Sequence, residues 1–255
     1  MAYFHDGEQP PLTDLEAWHG RERGDFFVGE APAPAPAPAR PAGPVFRLQC
    51  PAGCPPVAAA RCLTVLRQAI LSAIQLASNA ERALKQVLEP GPRARSKEDE
   101  ETVRLFRAFF GHDPSRPVPW AGNQASGVSV AYRFRKVAEA LQGRGTLYRC
   151  GCPGAGANIV AQTNAGAEPN VIELCPQFWN PPAGLRLSDR FFRAGTLIHE
   201  MLHLLFHEFF HHQGHPSGDP ERRRDNSNCY ESFALRVAGH AADPSAVRQC
   251  RVRPG

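Results

Sequence analysis

The sequence predicts an α+β, helix-rich domain with one small sheet, preceded by a Pro/Ala-rich tail. Three observations predict it. Apolar residues recur at helical spacing in several long stretches. Short β-type runs appear only between about residues 146 and 175. The repeat Ala31-Pro32-Ala33-Pro34-Ala35-Pro36-Ala37-Pro38 forms a stiff linker that cannot pack a core. The division is therefore a tail and Pro-Ala linker over 1–45 and one folded domain over 46–255. An apolar content of 42% in 255 residues suffices for such a core.

In chain order, Val65, Ile70, Ile74, Leu76 and Leu84 predict a helix over 57–89, stopped by Pro90-Gly91-Pro92. Val103, Leu105, Phe106, Phe109 and Phe110 predict a second over 97–110, ended by Gly111. Val128, Val130, Tyr132, Phe134, Val137 and Leu141 predict a third over 128–142. Residues 146–150, 158–163 and 170–175 read as strands, and Pro176-Gln177-Phe178-Trp179 as a loop. Ser188 and Asp189 can cap a helix-compatible run that reaches about residue 212. After a loop from Gln213 to Gly218, Asp219-Pro220-Glu221 has the form of a helix start. That helix should run to about Gly239, followed by a short irregular end.

The run ending near 212 contains His199-Glu200-Met201-Leu202-His203. Residues four apart share one helix face, so both imidazoles can hold one zinc ion. Glu200, next to the first His, can take a proton from a metal-bound water. The spacing points to peptide-bond hydrolysis, with His199 and His203 as metal ligands, Glu200 as catalytic base and Zn2+ as cofactor.

Catalytic zinc usually has three protein ligands and an open place. His207 and His211 continue the stripe, but His199 and His207 would stand ~12 Å apart along a straight helix. If two antiparallel helices meet through a turn near 212–220, residue 203 faces residue 229. Glu231 is then favoured as third ligand over Asp219, with Asp225 and His215 as lesser candidates. Tyr230 or His215 is a candidate to stabilise the oxyanion.

From Cys150 onward the sequence resembles the aspzincin zinc peptidases, the deuterolysins and lysine-specific metallo-endopeptidases. The resembling stretches are Val171-Ile172-Glu173-Leu174-Cys175-Pro176-Gln177-Phe178-Trp179, Ala194-Gly195-Thr196-Leu197-Ile198-His199-Glu200, and Asn226-Ser227-Asn228-Cys229-Tyr230-Glu231-Ser232-Phe233-Ala234. The resemblance implies a zincin-like metallopeptidase domain acting on proteins or peptides. It also implies an Asp ligand within Gly-Thr-x-x-Asp-x-x-Tyr-Gly. That motif is absent here, and Gly218-Asp219 is its nearest remnant. Tyr230-Glu231-Ser232-Phe233-Ala234 is also similar to the Glu-x-Phe-Ala of gluzincins.

A formal charge of +4 is too small to argue for a nucleic-acid partner. No run reaches the ~18 apolar residues of a membrane span. The first residues lack a basic region and an apolar core, so no signal peptide is expected. Yet there are eight Cys, as an oxidised framework requires. Export by a leaderless route, with secretion machinery engaging the tail, reconciles the two; otherwise the protein is cytoplasmic with reduced thiols. Cys229 with Cys250, and Cys175 with Cys150 or Cys152, are the expected bridges. A monomer is expected. A different class remains open: an injected effector or toxin whose domain is a degenerate zinc-binding module.

Overall fold

The computed structural model describes residues 46–50, 59–89, 95–121, 123–143, 145–152, 154, 159–164, 166–185, 187–206 and 225–250. The tail and linker over 1–45 lie outside the described residues. So do Cys54, His207, His211, His215 and Asp219.

The longest helix, α1 (Ala59–Leu88), carries Leu66, Ile70, Ala73, Ala77, Ala80 and Leu84 along one fully buried stripe. Alanines at every turn let neighbouring backbones come close, and α1 packs chiefly on two later helices, α3 and α5. Helix α2 (Lys97–Phe110) begins with a reciprocal cap: Ser96 N donates to Asp99 Oδ2 at 2.8 Å, and Asp99 N donates to Ser96 Oγ at 3.1 Å. It ends on Gly111, whose φ of 85° favours glycine. Helix α3 (Ser126–Gln142) starts two residues before the expected position. Gly127 fits there because a Cβ would lie 2.9 Å from Pro114 Cβ.

The sheet has the order β1-β2-β4-β3. Strands β1 (Arg47–Gln49), β2 (Leu147–Cys150) and β4 (Val171–Leu174) are parallel; β3 (Ala161–Thr163) pairs antiparallel to β4 and forms an edge. Three of the four were expected. β1 was not, because three residues show no period, and its place is fixed by pairing and by a disulfide from Cys50 to Cys150. Pro176–Trp179 forms a short helix, α4, rather than a loop, with its Pro at the first turn.

Helix α5 (Asp189–Leu205) carries the His-Glu-x-x-His stretch. Its Arg193 donates to the carbonyls of Phe178 and Trp179 at 2.7 and 2.9 Å, seating α5 on the end of α4. The expected extension to about 212 does not occur: Phe206 is extended, with φ −133° and ψ 111°. Nothing local stops the run there. Packing does, since Phe206 turns onto the core and beneath the Arg133 guanidinium, 5.5 Å from its ring centre.

Helix α6 (Ser227–Val237) starts at 227 rather than near 220, capped by the Asn226 side chain, which accepts from Asn228 N. Residues expected to be irregular form a last helix, α7 (Pro244–Cys250). Its bridge to α6, Cys229–Cys250, is the expected one, as is Cys152–Cys175. Asn226 and Asn228 add side-chain hydrogen bonds to Gln249. Among the described residues no helix is long and apolar enough to cross a membrane.

The core is continuous from α1 to α6. Phe106, Phe110, Phe134, Phe233 and Tyr230 form an aromatic cluster, with ring centres 4.7–6.0 Å apart, beneath the α5–α6 seam.

Candidate metal centre

α5 and α6 pack antiparallel, and their seam is polar although it is buried. On α5, Gly195, His199 and His203 stand one turn apart on a single face. On α6, Ser227 and Glu231 do the same. The faces meet in opposite directions: Ser227 lies at His203 and His199, and Glu231 lies at His199 and Gly195. Residue 203 thus faces residue 227, two positions from the register that the longer helix implied.

The central geometry belongs to two imidazoles and one hydroxyl. Ser227 Oγ is 3.0 Å from His199 Nε2 and 3.2 Å from His203 Nε2. The two rings are 5.0 Å apart, inclined at 60°. His203 and Ser227 are buried and His199 is nearly so.

Glu231 reaches the site from the other side. Its Oε2 is 3.4 Å from His199 Nδ1, the nitrogen facing away from Ser227. The carboxyl fits because residue 195 has no side chain: a Cβ there would lie 2.9 Å from Glu231 Cγ and Oε1. Gly195 costs helix stability and returns a niche for a carboxyl.

Glu200, the next residue along α5, is also buried. Burial pushes its carboxyl up to about 8, against a hydrogen bond from the Thr163 side chain on edge strand β3; the charge of Glu231 adds a further upward push. Burial likewise pushes Glu231 up to about 8, helped by Asp243. Two carboxyls held near neutrality by burial, beside two imidazoles, are groups whose charged forms a divalent cation would favour.

The other candidates are placed as follows. Asp225 lies 3.4 Å from Arg133 Nη2, in an ion pair at the start of α6. Tyr230 is fully buried, its hydroxyl accepting from Arg133 Nη1 at 2.7 Å. This places its oxygen in the aromatic core, on the guanidinium. Asp219 and His215 lie outside the described residues. Among the described residues no three His, Cys, Asp or Glu side chains gather as a metal-holding group. The imidazole pair fits zinc in donor type.

Sequence reasoning missed Ser227, Gly195 and Thr163. Ser227 left a signal, as it lies within the stretch Asn226–Ala234 that carries the family resemblance. Nothing local marks Thr163, which reaches Glu200 only through the sheet.

The model of the aspzincin family, lysine-specific metallo-endopeptidases, matches residues 96–234, more than half of the chain. The chain belongs to the aspzincin family. It is a zinc endopeptidase in the general sense of that family. The match takes in α2, α3, the strands β2 to β4 and α5, and ends within α6. A solved zinc peptidase from Grifola frondosa is similar at 17% identity and a TM-score of 0.49, covering 70% of this chain and 96% of that one. No curated protein matches the aspzincin chain.

Proposed function

We propose that this aspzincin domain is an endopeptidase of the His-Glu-x-x-His type, in which His199 and His203 hold zinc through their Nε2 atoms. The observation that carries the reading is the meeting of those two nitrogens at one oxygen, 3.0 and 3.2 Å away, with Glu200 buried at the adjoining position of the same helix. Zinc, when bound, supplies polarisation of the scissile carbonyl and acidification of water.

Glu200 accepts a proton from the attacking water and returns it to the leaving amine. A carboxyl held near neutrality suits both halves of that cycle, and Thr163 orients it. Glu231, expected as the third ligand, takes a positioning role: its carboxyl lies 3.4 Å from His199 Nδ1, and once ionised beside a bound cation it would accept Nδ1–H and leave Nε2 free for the metal. Protein or peptide chains are the substrate.

Glu200→Gln tests the base. The amide cannot take the proton, so the variant should keep its zinc and its fold while hydrolysis of denatured casein falls at least about a hundredfold. Retained hydrolysis in a zinc-loaded Glu200→Gln protein would move the role to another residue.

A further inference from the structure

Arg133, on α3, is a charged side chain kept beside the aromatic cluster. Its side chain is 8% exposed, and its guanidinium reaches three points on the two helices of the seam. Nη1 donates to the Tyr230 hydroxyl at 2.7 Å, on the body of α6. Nη2 donates to Asp225 Oδ1 at 3.4 Å, just before the Asn226 cap that starts α6. The Phe206 ring, at the end of α5, has its centre 5.5 Å from the guanidinium carbon. Each contact adjoins the candidate metal centre in the chain. Phe206 is three residues after His203, Asp225 two before Ser227, and Tyr230 one before Glu231.

Stability alone does not call for a cation at this place. Apolar side chains of similar volume generally hold a core as well as a buried ion pair does, or better. A buried, hydrogen-bonded charge can instead select one arrangement among near-equal ones, because a slipped helix leaves it unpaired. Such a choice exists here. The run after Leu205 is helix-compatible, so α5 could continue and meet α6 in another register. A slip of one residue turns a helix by about 100°. It would carry His203 away from Ser227 and His199 away from Glu231. The planar fork of an arginine meets two acceptors and takes a ring on its face, which a lysine ammonium does not reproduce. We infer that Arg133 is a positioning residue of the peptidase: through Phe206, Asp225 and Tyr230 it fixes the register in which the His199–His203 pair faces α6. It acts through those three contacts and not on the substrate.

This inference rests on the zinc endopeptidase reading above, but its first readout needs no metal. The full-length parent is compared with Arg133→Lys, Arg133→Met, and Arg133→Met combined with Tyr230→Phe. Circular dichroism and mass mapping of the Cys229–Cys250 bridge establish which variants are folded. The combined variant removes the hydroxyl together with its donor, so it should keep its fold even where Arg133→Met alone does not. In metal-free protein, the nitrogen-15 imidazole resonances of His199 and His203 should shift in every folded variant. In zinc-loaded protein, kcat per bound zinc on denatured casein should fall about ten- to a hundredfold, with KM within about twofold of the parent. That split marks misplaced chemical groups rather than lost substrate contacts, and a merely structural role would lower the folded fraction instead. Arg133→Lys should fall with the others, since it keeps the charge and loses the fork. Unmoved imidazole resonances, or a kcat per zinc within about twofold of the parent in any folded variant, overturns the role of Arg133 and leaves the peptidase reading standing. Loss of fold in every variant, Arg133→Lys included, overturns it as well, because Arg133 would then hold the core and not a register. A parent protein that binds no Zn2+ or leaves casein intact overturns the peptidase reading, while shifted resonances would still support Arg133 as the residue that sets the register.

Discussion

Two helix pairs in this molecule meet on opposite terms. α1 and α3 pack on each other, and Leu66, Ile70, Ala73 and Ala77 of the one and Val130, Phe134 and Val137 of the other are all buried and all apolar. α5 and α6 join through His199, His203, Ser227 and Glu231, which are buried or nearly so. The first pair draws stability from burial, at about 1.5–3 kcal/mol for each large side chain removed from water. The second gives stability up, because buried polar groups only break even when partnered. The contrast separates what holds the fold from what performs chemistry. The apolar pair and the aromatic cluster below it support a seam that could not hold itself in place.

The comparison can be broken at the apolar side first. Phe134 stacks on Phe233 and packs at a tilt against Tyr230, both on α6. Phe134→Ala should cost about 3–5 kcal/mol in urea unfolding. A loss under about 1 kcal/mol would mean that the cluster is not what supports α6.

On the polar side the expected effect is smaller in stability and specific in kind. Gly195→Ala gains up to about 1 kcal/mol of helix propensity. It also drives a methyl into the Glu231 carboxyl, an overpacking cost of about 1–3 kcal/mol. A net loss of about 1–2 kcal/mol should appear in unfolding, together with a changed His199 tautomer by nitrogen-15 NMR. A variant with unchanged stability and an unchanged imidazole spectrum would show that Glu231 does not depend on that niche.

A polar cluster between α2 and α3 gives a scale for comparison. Partial burial alone would raise the Asp113 carboxyl, but hydrogen bonds from the Ser115 side chain and backbone, and then from Arg107, hold it at about 2. Its folded value lies below its ordinary 3.8, so the stabilisation is present above that pH and is lost as pH falls through about 2. Asp113→Asn should therefore cost about 1 kcal/mol or less between pH 5 and 7, with the difference from the parent vanishing near pH 2. A difference that persists undiminished at pH 2 would show that the effect is not electrostatic.

The apolar half was legible in the sequence because its signal is local. Helical periodicity in 57–89 and 97–110 matches α1 and α2 closely, and Gly111 ends α2 as expected. The imidazole pair was legible too, since four-residue spacing on a helix is enough to face both rings one way. What failed was length. The run after His203 is helix-compatible, and only tertiary packing of Phe206 under Arg133 ends α5 at Leu205. That error shifted the α5–α6 register by two residues, so that Ser227 rather than residue 229 faces His203. The antiparallel meeting itself was foreseen, and so were the Cys229–Cys250 and Cys152–Cys175 bridges. β1 and α7 left no periodic signal because each is short and is fixed by pairing or by a bridge.

The central claim is that the α5–α6 seam is a zinc site, and metal stoichiometry tests it most directly. Elemental analysis of the full-length protein, purified and reconstituted with Zn2+, should find one zinc per chain. A folded His203→Ala protein should retain little of it, since removing one imidazole leaves a poor site. No zinc in the reconstituted parent protein, or equal zinc in the parent and in His203→Ala, would contradict the account.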